Sequence, residues 1–466
     1  MSARRMLNGL DRRRHVMEQD RRSFLKSAAL TAGYVGLAPL TARSFAAVQG
    51  ANDRARVVVV GFSDRFRGAL LPSFLQHAKE TNFDIVGVCD IWSRRRDEGK
   101  AALEKAFGHP IATYRNTEEL YATAKDVDAV MISTADFAHA LNTAEAVQAG
   151  KDCYTEKPLA ETMADNRAVL KAVRAGKQIV QIGSQRRSGR NYIAAAEFIK
   201  RGDFGPIVYV DLVWNVNQPG RWRRAALVGQ CREADTDWKR YLLNRPFEPW
   251  DPRKYLEFRL FWPYSSGIPG QWMAHQIDTV HWFAGFPYPR SVVTNGGIYC
   301  WKDGRTNADT MTTVLDYGPE DRAAGGFQVV FTSRFSNSMG GVKEVYYSNG
   351  GTMDLDTGKI TPDGGLTERE AKAMGMKPNL LAPRVLAEPV KVETAANTGG
   401  DDLTSGHVRN WMECVRSRKE PNAPIEAGYN HSIATIMTNA AYRTGVRVVY
   451  DPKTQDVMAG GKPFQY

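Results

Sequence analysis

The sequence predicts an α/β protein: a doubly wound parallel sheet in the first half, then a strand-rich second half. Three observations carry this. From Arg56 onward, short apolar runs at 57–60, 85–89, 129–132, 152–154 and 179–182 alternate with helical patterns at about 67–80, 94–107, 138–149 and 163–175. The first run is a continuous β-branched stretch, as a strand covered on both faces requires. Beyond residue 206 the runs become strand-like at 207–214, 291–300, 309–316, 326–333 and 342–348, and Asn349-Gly350 is a strong turn signal.

The chain has 466 residues, 43% hydrophobic and 24% charged, enough for two domains with a sizeable core. No apolar run reaches the roughly 18 residues of a spanning helix. The net charge is +11, but the first 47 residues carry nine basic and three acidic side chains, a net +6. Within them, Asp20-Arg21-Arg22-Ser23-Phe24-Leu25-Lys26 resembles the twin-arginine export signal. A short apolar stretch, 28–40, and the small residues around Ser44-Phe45-Ala46 complete the order of a removable signal peptide over residues 1–46, with Met17 as an alternative start. The expectation is export of the folded protein to the periplasm or outside, by the twin-arginine machinery and without a membrane anchor. The remaining +5 asks for no nucleic-acid partner, and no basic stripe or zinc-finger spacing occurs. The five cysteines are odd in number and widely spaced, and read as buried free thiols.

The first strand runs into Gly61-Phe62-Ser63-Asp64-Arg65-Phe66-Arg67-Gly68. A dinucleotide fingerprint places G-x-G-x-x-G here, so that the backbone approaches a pyrophosphate at a helix N-terminus. Ser63 replaces the second glycine and Gly68 displaces the last. Asp90 closes the second strand, where an acidic residue bonds the adenosine ribose hydroxyls and repels a 2′-phosphate. NAD is expected, with NADP kept open by Arg94, Arg95 and Arg96.

Further on come Thr134-Ala135-Asp136-Phe137-Ala138-His139, Glu156-Lys157-Pro158 and Gly183-Ser184-Gln185-Arg186-Arg187. His407-Val408-Arg409-Asn410-Trp411 opens a late helix. With the Rossmann-type turn, these resemble the glucose–fructose oxidoreductase, inositol dehydrogenase and MocA (Gfo/Idh/MocA) family over nearly the whole chain after the leader. The resemblance implies a NAD(P)-binding Rossmann domain at 52–185. It implies an α+β domain at 186–466 with a large, mostly antiparallel, open-faced sheet that makes homodimers or homotetramers. Residues 362–400 lack periodicity and read as a long loop or arm.

The same resemblance implies the site. Gly61, Phe62, Ser63, Arg65, Asp90, Thr134, His139, Glu156, Lys157 and Gln185 would hold the cofactor. Lys157 and His275 would be catalytic, in a D-x-x-x-H pattern whose aspartate position holds Gln271. A neutral amide cannot stabilise an imidazolium as a carboxylate does, so Asp278, three residues on, is the candidate third catalytic group. His275, Asp278 and His281 lack the spacing of a zinc site, and no metal is expected. Eight of the ten tryptophans lie between residues 214 and 301, which suits a cleft for a polar ring with an apolar face, a carbohydrate. Arg187, Trp262, Tyr264 and Gln271 are the candidate substrate contacts. The leading expectation is a NAD(P)-dependent oxidoreductase acting on a sugar, sugar derivative or polyol with a tightly held cofactor. One alternative is a NAD-dependent glycoside hydrolase or lyase working through transient C3 oxidation, with His275 or Tyr264 as base. The other is a non-catalytic sugar-binding protein.

Overall fold

The computed structural model describes residues 53–217, 219–220, 222–321, 325–386 and 401–465. The export segment and the stretch 387–400 lie outside the described residues. The first half is a six-stranded parallel sheet built from β1 (Ala55–Val60), β2 (Phe83–Cys89), β3 (Ala112–Tyr114), β4 (Ala129–Ile132), β5 (Asp152–Thr155) and β6 (Val180–Ile182), in the order β3-β2-β1-β4-β5-β6. Val57, Val58 and Val59 of β1 are wholly buried, so the unbroken β-branched run marks the sheet's centre. The order reverses between β1 and β4, and the carboxyl ends of these two strands open the crevice in which such sheets bind ligands.

The second half is an eleven-stranded mixed sheet. Its long strands are β7 (Ile207–Asn215), β8 (Ser291–Gly297), β9 (Thr310–Tyr317), β10 (Phe327–Arg334) and β11 (Val342–Ser348). All its pairings are antiparallel except β7 with β10, which run parallel. Buried residues alternate with partly exposed ones along β9 and β10, because only one face is packed by helices. Helices Ala274–Ala284 and Ile425–Thr444 cover that face.

Three expectations need correction. Residues 362–400 are not all loop. Strand Lys359–Pro362 pairs with Arg384–Val385, and between them Thr367 and Glu370 form a reciprocal capping box that starts helix Glu368–Met374. The second domain is not continuous from residue 186. Helix Asp402–Ser417 turns Val408, Trp411, Met412 and Val415 into the first sheet's core, against Phe83 and Tyr154. Four cysteines are buried thiols, but Cys300 is exposed, on the loop that Asp309 holds by accepting three backbone N–H groups.

Candidate active site

A cavity of about 370 Å³ opens at the carboxyl end of the parallel sheet and runs under the second sheet. Its size is in the range of small-molecule sites. All ten candidate cofactor residues line it. Gly61 ends β1 at φ +87°, and a Cβ there would lie 3.0 Å from the Ser133 carbonyl oxygen, so only glycine gives this turn. Ser63 caps the next turn, its Oγ accepting from Phe66 N at 3.2 Å. Gly68 lies inside the helical turn Phe66–Leu70 rather than at the cavity.

Asp90 faces the cavity from the end of β2 and accepts from the N–H groups of Phe62 (2.9 Å) and Trp92 (3.0 Å). Burial pushes its carboxyl up, opposed by those two donors. The three arginines behind it are engaged. Arg94 and Arg95 bond Glu98, Arg95 also reaches Asp64, and Arg96 donates to the Asp90 carbonyl. A 2′-phosphate would therefore meet Asp90 with no uncommitted arginine beside it. The glycine turn and the acidic strand end suit NAD.

Beyond the turn, His139 bridges two segments. Its ring nitrogens lie 2.7 Å from the Pro158 carbonyl and 3.2 Å from the Thr134 carbonyl, and burial lowers its pKa. Glu156 is held by Arg65 (3.0 Å) and by the Gln185 amide (3.0 Å). These contacts fix the strand end that presents Lys157.

Lys157 donates to the backbone carbonyls of Gln271 (2.6 Å) and Gly270 (3.4 Å). Burial lowers its pKa to about 8, against the pull of Asp136 and Glu156. His275 lines the same cavity one helical turn beyond Gln271 and stacks on Trp214 at 5.8 Å. Burial first, then the nearby Lys157, hold its imidazole well below its usual pKa, so it is neutral at pH 7. Gln271 spans two charged groups: its Oε1 accepts from Arg259 Nε at 2.8 Å and its Nε2 donates to Asp136 at 2.5 Å.

Asp278 does not join this group. It points away from the cavity into a bidentate pair with Arg187 (2.8 and 2.9 Å), and both side chains lie outside the lining. The i, i+3 spacing carries Asp278 far enough around the helix to leave the face His275 presents. His281 is likewise turned away, bonded to the Tyr317 hydroxyl. Two of the expected aromatic contacts are elsewhere too. Trp262 packs on Phe464 under the Arg443 guanidinium, and Tyr264 is buried among Phe137, Trp238 and Tyr241. Tyr264 is thus no base for a bound sugar. The aromatic wall consists instead of Trp214, Trp222 and Trp272, with centroids 4.8 Å (Trp214–Trp272) and 5.9 Å (Trp222–Trp272) apart.

Sequence reasoning did not single out Asp136, Arg259 or the segment Asp401–Thr404 as cavity residues. Asp136 stood within the quoted Thr134–His139 motif. Arg259 and Asp401 come together with it only through the tertiary fold, and no local spacing marks them.

The fold is that of a Rossmann-type dinucleotide-binding protein with an appended open-sheet domain. Residues 55–184 match the Gfo/Idh/MocA family, an oxidoreductase family with an NAD-binding Rossmann fold. Inositol 2-dehydrogenase of Salmonella paratyphi B is 30% identical over 187 residues, 40% of this chain and 52% of that protein. The chain spans about half the length of the curated relatives it matches. Two solved structures share the fold across both halves. The WlbA dehydrogenase of Bordetella pertussis, in complex with NADH and UDP-GlcNAcA, has a TM-score of 0.59 at 17% identity, covering 85% of this chain and 99% of that one. The myo-inositol 2-dehydrogenase of Lactobacillus plantarum has a TM-score of 0.59 at 16% identity, covering 86% and 100%.

Proposed function

We propose that this protein is an NAD-dependent oxidoreductase acting on a secondary alcohol of a sugar, sugar derivative or polyol. The observation that carries the reading is the convergence of Lys157 and His275, from the two halves of the chain, on one cavity whose other end carries Gly61 and Asp90. The inositol dehydrogenase relatives support the substrate class.

NAD held by Gly61 and Asp90 would supply a hydride acceptor for the alcohol carbon. Neutral His275 takes the hydroxyl proton, and the Lys157 ammonium donates a hydrogen bond to the hydroxyl oxygen as it becomes a carbonyl. The products are a ketone, reduced cofactor and a proton left on His275. The Gln271 and Gly270 carbonyls hold the ammonium in place, and the tryptophan wall offers the apolar face of a sugar ring a surface to lie against. The leader marks a protein exported already folded. Free NAD is scarce outside the cytoplasm, so the cofactor would be tightly held and reoxidised in place, in a homodimer or homotetramer.

The test is to purify the exported protein, identify the released cofactor by mass spectrometry, and follow absorbance at the NADH wavelength with polyols and sugars. Cofactor reduction that is lost in Lys157→Met is expected. Release of an aglycone from aryl glycosides without net NADH would replace dehydrogenation by the oxidation–elimination route.

A further inference from the structure

Six arginines line the cavity, and five have a carboxylate partner. Arg65 pairs with Glu156, Arg95 and Arg224 with Asp64, Arg186 with Glu344, and Arg240 with Glu145. Among the described residues Arg259 has none. Its Nε donates to the neutral Gln271 amide, its guanidinium carbon lies 4.5 Å from the Phe258 ring centroid, and its four other N–H groups have no acceptor. Burial lowers its pKa, but a guanidinium stays charged in a protein.

Position 271 decides this imbalance. A carboxylate there would stand where Gln271 Oε1 stands and cancel the guanidinium charge. Glutamine takes the hydrogen bond and leaves the charge in place. Asp136, the carboxylate acting most strongly on Arg259, accepts at Oδ2 from both the Ser265 hydroxyl and the Gln271 amide. Burial and the neighbouring Asp136 push the Glu161 carboxyl up, toward its neutral form. Asp136 is the carboxylate that acts most strongly on both Lys157 and Arg259, and among the described residues neither cation forms an ion pair with it.

We propose that Arg259 binds the carboxylate of the substrate, which is an acidic sugar such as a uronate or aldonate. The inference rests on the oxidoreductase reading and narrows its substrate class. The guanidinium fork suits a planar carboxylate, which it can bind through two parallel N–H donors. Arg259 is tied to Gln271, whose backbone carbonyl holds Lys157, so its guanidinium stands beside the reacting group.

The experiment uses the cofactor-loaded protein and matched probes: glucuronate, galacturonate and gluconate, the corresponding uronamides, the neutral hexoses, and their 6-phosphates. Thermal stabilisation and cofactor reduction are read separately. The acids should bind at least about 30-fold more tightly than their amides, and Arg259→Met should abolish that ratio. Arg259→Lys should restore part of it, and the acid-to-amide comparison on the unaltered protein stands even if a variant misfolds. Equal binding of acids and amides, preference for the phosphates, or a loss in Arg259→Met confined to NAD affinity would each overturn the assignment. Arginine-dependent binding of acids without cofactor reduction would keep this assignment and remove the oxidoreductase reading. Reduction by neutral sugars alone would do the reverse.

Discussion

The two ends of the cavity are built differently. At the cofactor end, Gly61, Asp90, Thr134, His139 and Glu156 come from the ends of parallel strands or the segments that follow them, and the charged groups have partners: Arg65 with Glu156, Arg95 and Arg224 with Asp64, Asp90 with two backbone donors. At the substrate end, Trp214, Trp222, Arg259, Gln271 and His275 come from a strand, a loop and three helical segments, and among the described residues Arg259 has no carboxylate partner. The contrast separates a generic task from a specific one. A dinucleotide is the same in every such protein, so its site is locally encoded. The substrate end is left with an electrostatic demand that only a ligand meets.

The comparison breaks most sharply at Lys157. Lys157→Met should lower kcat by about 10²- to 10⁴-fold while NAD still binds, measured by single-turnover reduction and by cofactor titration. Loss of NAD affinity instead would assign Lys157 to the cofactor end. Asp90→Ala should do the opposite, weakening NAD by about 10- to 100-fold through loss of a charged acceptor, with little change in kcat at saturating cofactor. A smaller effect is expected from Gln271→Glu. It places a carboxylate beside Arg259, so it should cut the preference for acids over amides by about tenfold or more without touching NAD affinity.

This difference between the ends also explains what could be read from the sequence. The cofactor end rests on backbone geometry at strand ends, and that geometry leaves short-range marks: Gly61 after a β-branched run, Asp90 after the next, the Glu156-Lys157-Pro158 turn. Ser63 in place of a glycine did not obscure it, because its hydroxyl caps the following turn. The substrate end leaves no such mark. Helical spacing placed Asp278 beside His275, but Arg187 from a preceding segment claims Asp278 and turns it into the protein. Tryptophan density pointed to the right region and to the wrong members, since Trp262 and Tyr264 serve packing while Trp214, Trp222 and Trp272 face the cavity. The burial that separates these roles is set by contacts from distant parts of the chain, which periodicity within one element does not contain.

The smallest expected effect is the shape of the pH profile, and it divides the labour between the two candidate proton-handling groups. His275 is held well below 6.5 by burial and by Lys157, so it stays an available acceptor across the neutral range. Lys157, lowered to about 8, must be protonated to donate to the substrate oxygen. The acting ammonium is present below about pH 8 and lost as pH rises through it. At saturating acid substrate, kcat should therefore be flat from about pH 7 to 7.5 and fall up to tenfold per unit above about 8. A rise to a plateau above pH 8 would mean that the free amine of Lys157, and not His275, takes the hydroxyl proton. Asp136→Asn sharpens the distinction. Asp136 is the largest charge raising the Lys157 pKa, so its loss should move the descending limb to lower pH. A purely structural role for Asp136 would lower kcat uniformly and leave that limb in place.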